Sequence, residues 1–160
     1  MLHMKVHGLT IDPASNAPIV LLKEQDGERT LPIWIGLLEA TAIASELEHI
    51  TFSRPMTHDL FINALKALGW SLRRMEIIDI RDNTFYAQLH LMDAGSRIVR
   101  LDSRPSDAIA LCLRANAPIF VARDVLENNL NPQQPEADSQ EKWREILERM
   151  SPEDFGKYKM

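Results

Sequence analysis

The chain has 160 residues, 45% of them hydrophobic and 26% charged, with 6 Gly, 9 Pro and a single Cys; at that length folding buries about 70% of the surface the unfolded chain exposes, enough for one sizeable core. This balance is close to the globular average and excludes collagen-like, mucin-like and wholly disordered chains. The net charge of −5 argues against a broadly basic protein that coats nucleic acid.

The charge is unevenly placed: residues 1–65 carry net −4, residues 66–123 net +3 and residues 124–160 net −4. The middle segment is rich in arginine, whose planar fork can grip phosphate or simply solvate a surface. No apolar run approaches the roughly 18 residues of a membrane span. The opening Met1–His7 has neither a basic start nor an apolar block of the secretory kind. A cytoplasmic chain with no membrane partner is expected. Cys112 lies in an apolar helical stretch and reads as a small buried side chain.

In chain order, Met4–Ile11, Pro18–Glu24 and Thr30–Ile35 read as strands, the last two joined by the turn signal Asp26-Gly27. After Gly36 the period changes, and Leu37, Ala40, Ile43, Ala44, Leu47 and Ile50 form one helical stripe. A second helix is predicted over Thr57–Leu68, with Leu60, Ala64, Leu65 and Leu68 inward and Gly69 as the stop. Leu72–Ile80, Phe85–Met92 and Arg97–Asp102 then read as a three-stranded meander, because the loops between them are too short for anything but antiparallel neighbours. The middle strand alternates, with Phe85, Ala87, Leu89 and Leu91 as its core face. Ser106–Ala115 is apolar nearly all round and should be a central, buried helix, and Pro118–Val121 returns as a short strand.

These elements predict an α+β domain, a mixed and mainly antiparallel sheet flanked by helices, over residues 1–127. A connection follows at 128–139, where the sequence has no periodicity and two prolines. Residues 140–160 read as a C-terminal helical tail whose stripe of Trp143, Ile146, Leu147 and Met150 packs on its own domain or on another subunit; Ser151–Phe155 reads as a capped last turn. An isolated short helix is marginal, and this stripe is the ground for expecting a homodimer.

Two segments share a pattern: Arg54-Pro55-Met56-Thr57-His58-Asp59 and Arg104-Pro105-Ser106-Asp107 both place Arg-Pro, a hydroxyl cap and a first-turn Asp at a helix start. The structural account is sufficient by itself, since Asp is favoured there by the helix dipole. A functional account is equally specific. Free N–H groups at helix starts suit phosphate, with Arg54, Arg104 and Ser106 as substrate-binding groups. Asp59 and Asp107 would repel that phosphate unless a divalent cation intervened, which makes Asp59, Asp102 and Asp107 candidate ligands for Mg²⁺ or Mn²⁺. Glu39, in the first turn after Gly36, could join the carboxylates, and His58 could serve as a general base beside the candidate catalytic Asp59 and Asp107. If the helix starts do not converge, Arg–Asp ion pairs explain the same residues. There is no Walker loop, dinucleotide fingerprint, nucleophile elbow or zinc-protease helix.

Leu31-Pro32-Ile33-Trp34-Ile35-Gly36 with Glu39-Ala40, Arg54-Pro55, Thr57-His58-Asp59-Leu60, Thr84-Phe85-Tyr86-Ala87 and Asp102-Ser103-Arg104-Pro105-Ser106-Asp107-Ala108-Ile109-Ala110-Leu111 together resemble the bifunctional nuclease (BFN) domain family. The similarity runs from about residue 4 to residue 125, and Ser151–Phe155 resembles a tail found in bacterial members. Within these motifs the departure is Cys112, where a small apolar residue is usual. The resemblance implies a nuclease hydrolysing phosphodiester bonds of DNA and RNA, with metal assistance as the residues' own suggestion. The rival reading is a non-catalytic binding or regulatory module, in which the same acidic and arginine residues form ion pairs or a subunit contact.

Overall fold

The computed structural model describes residues 1–129 and 140–149. Seven strands form one sheet: β1 (Leu2–Ile11), β2 (Pro18–Glu24), β3 (Thr30–Trp34), β4 (Trp70–Arg81), β5 (Thr84–Asp93), β6 (Ile98–Ser103) and β7 (Ile119–Val121). Five helices accompany it: α1 (Leu37–Leu47), α2 (Thr57–Ala67), α3 (Pro105–Ala115), α4 (Arg123–Asn128) and α5 (Gln140–Arg149). The sheet order is β3-β2-β1-β7-β4-β5-β6, antiparallel throughout except for the parallel β4–β7 pair. Two meanders therefore make the halves, each built from hairpins that local turn chemistry can form. At the β4–β5 turn Asp82 and Asn83 both take positive φ, 48° and 57°, the pairing that a tight two-residue hairpin requires. β7 is the seam between the halves, with Ile119 and Val121 buried between β1 and β4.

The sheet's two outer strands differ. β3 carries Pro32, whose missing N–H and fixed φ suit an edge. β6 pairs with β5 from Ile98 to Ser103 with no bulge.

The all-round apolar character of α3 follows from its place. It packs on β4 and β5 and carries α1 and α2 on its flanks, so Ala108, Ile109, Ala110, Leu111 and Cys112 are all buried; burying a side chain of the size of Ile109 or Leu111 contributes about 1.5–3 kcal/mol. The Cys112 thiol is pushed up to about 12 by burial, opposed weakly by a backbone hydrogen bond at Met75. That is the inert cysteine the sequence suggests.

One expectation needs correction. In α2 the inward positions are Ile62, Phe61 and Leu65, while Leu60 and Leu68 are 61% and 75% exposed and Ala64 also faces outward. The helix offers two apolar stripes, and docking against α3 and β4 selects the other one. α4 carries no signal in the sequence, since six residues are too few to show a period and within it Val125 and Leu126 are the buried ones. Of the two alternatives open to the tail stripe, the one seen is packing on its own domain: Trp143 and Leu147 of α5 are buried, and α5 packs on α1 of the same chain. Met150, the segment 130–139 of the expected connection and the Ser151–Phe155 turn lie outside the described residues. No helix among the described residues is long and apolar enough to cross a membrane.

Candidate active site

The first turns of three helices line one cavity, and each places a carboxylate at its third position. Gly36, Met56 and Arg104 are the N-caps of α1, α2 and α3, all with extended backbone, so Glu39, Asp59 and Asp107 occupy equivalent first-turn sites where the helix dipole favours negative charge. The expected hydroxyl caps are not caps. Thr57 and Ser106 sit inside the first turn, and at α2 the Met56 N–H donates instead to Asp59 Oδ2 at 2.9 Å. The two Arg-Pro pairs are also out of phase: Pro105 is the first residue of α3, whereas Pro55 lies before the cap of α2. Arg104 is thus fixed at the helix start, and Arg54 lies two residues ahead of its own.

Arg104 links two of the carboxylates. Its Nε donates to Asp107 Oδ2 and its Nη1 to Glu39 Oε1, both at 2.7 Å. His58 Nε2 lies 2.9 Å from the other oxygen of Asp107. Burial pushes the Asp107 carboxyl up, but the hydrogen bonds from Arg104 and His58 outweigh it and hold the group below the usual carboxylate range. Asp107 and then Glu39 raise the Arg104 guanidinium correspondingly. Glu39, Arg104, Asp107 and His58 form one chain of charge-assisted contacts drawn from all three helix starts, and the Arg104 side chain remains 63% exposed.

Asp59 belongs to a different unit. Arg114 Nε donates to Asp59 Oδ1 at 2.7 Å, and Arg114 Nη1 donates to the carbonyls of Ala42 at 3.1 Å and Ala110 at 2.8 Å. With its side chain 6% exposed, this guanidinium clamps α1, α2 and α3 together. Sequence reasoning counted Arg114 only as one more cation; a charge on a helix predicted to be buried all round was the signal that it needed an internal partner.

The expected metal ligands do not gather. Asp59 is committed to Arg114, and Asp107 to Arg104 and His58. Asp102 stands on β6 opposite Gln88. Among the described residues no group of three or more His, Cys, Asp or Glu is placed to hold a metal ion. The three carboxylates therefore do not fit a preformed Mg²⁺ or Mn²⁺ site, because two are already neutralised by cations.

The Glu39–Arg104–Asp107–His58 chain lies along a cavity of about 1,030 Å³ enclosed by the helix starts and β6. Its other walls are largely apolar: Leu38, Phe52, Met56, Phe61 and Leu101 contribute, and Asp102 joins the polar side. Arg54 falls elsewhere. It lines a separate pocket of about 260 Å³ behind Asp59 and Arg114. Ser106 is buried and is not part of the cavity wall.

The fold and this clustering of motif residues agree with sequence comparison. Residues 20–134 match the bifunctional nuclease domain. The chain is 40% identical over 162 residues to an uncharacterized protein of Mycobacterium tuberculosis (strain ATCC 25618 / H37Rv), covering 95% of this chain and 96% of that protein. It is 28% identical over 120 residues to Bifunctional nuclease 1 of Oryza sativa subsp. japonica, covering 74% of this chain and 36% of that protein. Bifunctional nuclease 1 of Arabidopsis thaliana is 28% identical over 107 residues, covering 65% and 33% respectively. The chain belongs to the bifunctional nuclease domain family.

Proposed function

We propose that this protein hydrolyses phosphodiester bonds of DNA and RNA at the mouth of the cavity, with His58 as the proton acceptor. The observation that carries this reading is the chain from Glu39 through Arg104 and Asp107 to His58. An ionised Asp107 can only accept hydrogen bonds, so His58 Nε2 must carry the proton toward it. That leaves Nδ1 with the lone pair. An attacking water would lose its proton to Nδ1 as its oxygen bonds to phosphorus and the bond from phosphorus to one sugar oxygen breaks; Asp107 would stabilise the imidazolium that forms, and the leaving oxygen would take up a proton from that imidazolium or from solvent to give the free hydroxyl. Arg104 spends Nε and Nη1 on the two carboxylates, and its remaining exposed N–H groups would take a phosphoryl oxygen. Phe61 on the apolar side puts an aromatic ring in the cavity wall against which a base could stack. Mg²⁺ or Mn²⁺, suggested by the sequence, belongs to the proposal as a question for a chelator series, and no step here runs through it.

The test is cleavage of single-stranded DNA and RNA by highly purified wild type beside His58→Gln. Activity in wild type and its loss in the variant, with both folded by thermal melting, is the expected result. Equal activity in the two proteins removes His58 from the reaction. A second reading, a non-catalytic binding module, is favoured by one specific observation: at the cavity the carboxylates Glu39, Asp102 and Asp107 outnumber the guanidiniums of Arg104 and Arg114, and the latter is buried against Asp59. Absence of cleavage by wild type under any metal would establish that reading in place of the first.

A further inference from the structure

We infer that β6 is the interface for a second copy of this chain, paired antiparallel about a two-fold axis through Leu101. The two edges of the sheet are unequal. An unprotected edge strand presents a row of backbone donors and acceptors to any other strand, and proteins usually blunt it with proline, bulges or same-sign charge. β3 carries Pro32. β6 has no proline and no bulge, pairs among the described residues only with β5, and exposes Ile98 at 59% and Leu101 at 38%.

The register then follows from sequence and geometry. In any one strand, alternate residues aim their backbone groups at the same neighbour, so an antiparallel pair of identical strands must place its two-fold axis on a residue and not between two. Centring on Arg100 sets Arg100 against itself, and centring on Asp102 sets Asp102 against itself; like charges directly opposite are unfavourable. Centring on Val99 faces Ile98 with Arg100. Centring on Leu101 is the register that sets Arg100 against Asp102 of the second copy, twice, with Leu101 against Leu101 and Val99 against Ser103. Arg100 and Asp102 lie on one face of β6, the face shared with His90 and Gln88 of β5. Directly opposed residues share a face, so these ion pairs form on that face while the leucines meet on the helix side.

Leu101 and Asp102 also wall the cavity. The pairing brings the two cavities side by side across the axis, with Ile98 of the second copy opposite Arg104. The dimer expected from the tail helix is thereby assigned to a different surface, on grounds that do not depend on the nuclease reading.

The experiment is the solution mass, by light scattering across micromolar concentrations, of the full chain and four variants. Wild type should have twice the single-chain mass of 18.3 kDa. Arg100→Glu and Asp102→Arg should each fall to one chain, because each sets like charges opposite one another. The double variant Arg100→Glu/Asp102→Arg should return to two. Leu101→Cys should form an interchain disulfide on mild oxidation, since its Cβ would face its own copy; Cys112 is buried and supplies no competing thiol. All four are exposed positions or conservative in size, and thermal melts check folding. A wild type of one-chain mass overturns the proposal, as does a dimer that neither single reversal disturbs. Failure of the double variant to reassociate, or of Leu101→Cys to cross-link, overturns the register.

Discussion

His58 and Asp107 stand 49 residues apart in the sequence, on different helices, with Nε2 and Oδ1 at 2.9 Å. The contact exists because both lie in first turns that line the same cavity. Asp107 is held from its other side by Arg104, so one carboxylate orients both an imidazole and a guanidinium. Asp107→Asn keeps the shape and removes the charge. Cleavage should drop by about 10²-fold or more, the usual contribution of a positioned acid–base pair, while the variant still melts cooperatively, at a somewhat lower temperature because the contacts of the carboxylate to Arg104 and His58 are weakened. Single-turnover assays on a labelled oligonucleotide would measure it, and wild-type rates in the variant would refute the assignment.

The same carboxylate predicts an acid limb in stability. Its folded value is depressed, so its stabilisation is complete above the ordinary carboxylate range and is lost as pH falls through the folded value. Urea midpoints taken from neutral pH down into the acid range should fall less steeply for Asp107→Asn than for wild type. Parallel curves for the two proteins would show that the Arg104 and His58 contacts do not hold in solution.

Two arginines that look alike in sequence should separate in binding. Arg104 fronts the cavity, whereas Arg54 lines the pocket behind the Asp59–Arg114 clamp. On duplex DNA each phosphate neutralised contributes about −0.9 to the slope of log K against log salt, so Arg104→Ala should flatten that slope by nearly 1. Arg54→Ala should leave it unchanged. Fluorescence anisotropy over a salt series decides, and the reverse ranking would move the substrate path to the other side of α2.

Gly36 keeps space for Glu39. A Cβ built at Gly36 collides with Glu39 Oε2 and its carboxyl carbon, the far end of a flexible side chain. Gly36→Ala should therefore swing Glu39 aside, loosen Arg104 and reduce cleavage several-fold, while the melting temperature changes little. A large loss of stability with intact activity would contradict this.

Most of the architecture was legible in the sequence because it is locally encoded. Gly36, Gly69, Asp26-Gly27 and Asp82-Asn83 punctuate the chain, and the alternation in β5 sets its core face correctly. What failed depended on tertiary choice: α2 had two apolar stripes, and only the docking against α3 and β4 decides between them. The site was half legible. Repetition of Arg-Pro and Asp pointed to the right helix starts, but the repeat concealed a two-residue phase difference that sends Arg104 into the cavity and Arg54 away from it. Nothing in the spacing revealed that Asp59 pairs with Arg114, because that partner is 55 residues away.

The Arg114 clamp gives the last of these predictions. Removing one member of a fully buried pair costs about 3–5 kcal/mol, but the Asp59 side chain is 31% exposed, so Arg114→Met should lose about 2 kcal/mol once solvent screening is counted. Arg114→Met/Asp59→Asn should recover part of that loss, since no lone charge remains. Chemical denaturation of Arg114→Met, Asp59→Asn, the double variant and wild type would give the coupling, and additivity would mean that the two side chains do not interact.

If β6 pairs with its own copy as proposed, Pro32 on β3 limits how far that association can proceed. A sheet with two open edges can add copies at both ends without limit, the route to fibres. A sheet with one open edge and one blocked by proline meets its own copy once, edge to identical edge, and the assembly closes. The proline at one side of the molecule would thus set the number of chains that join at the other.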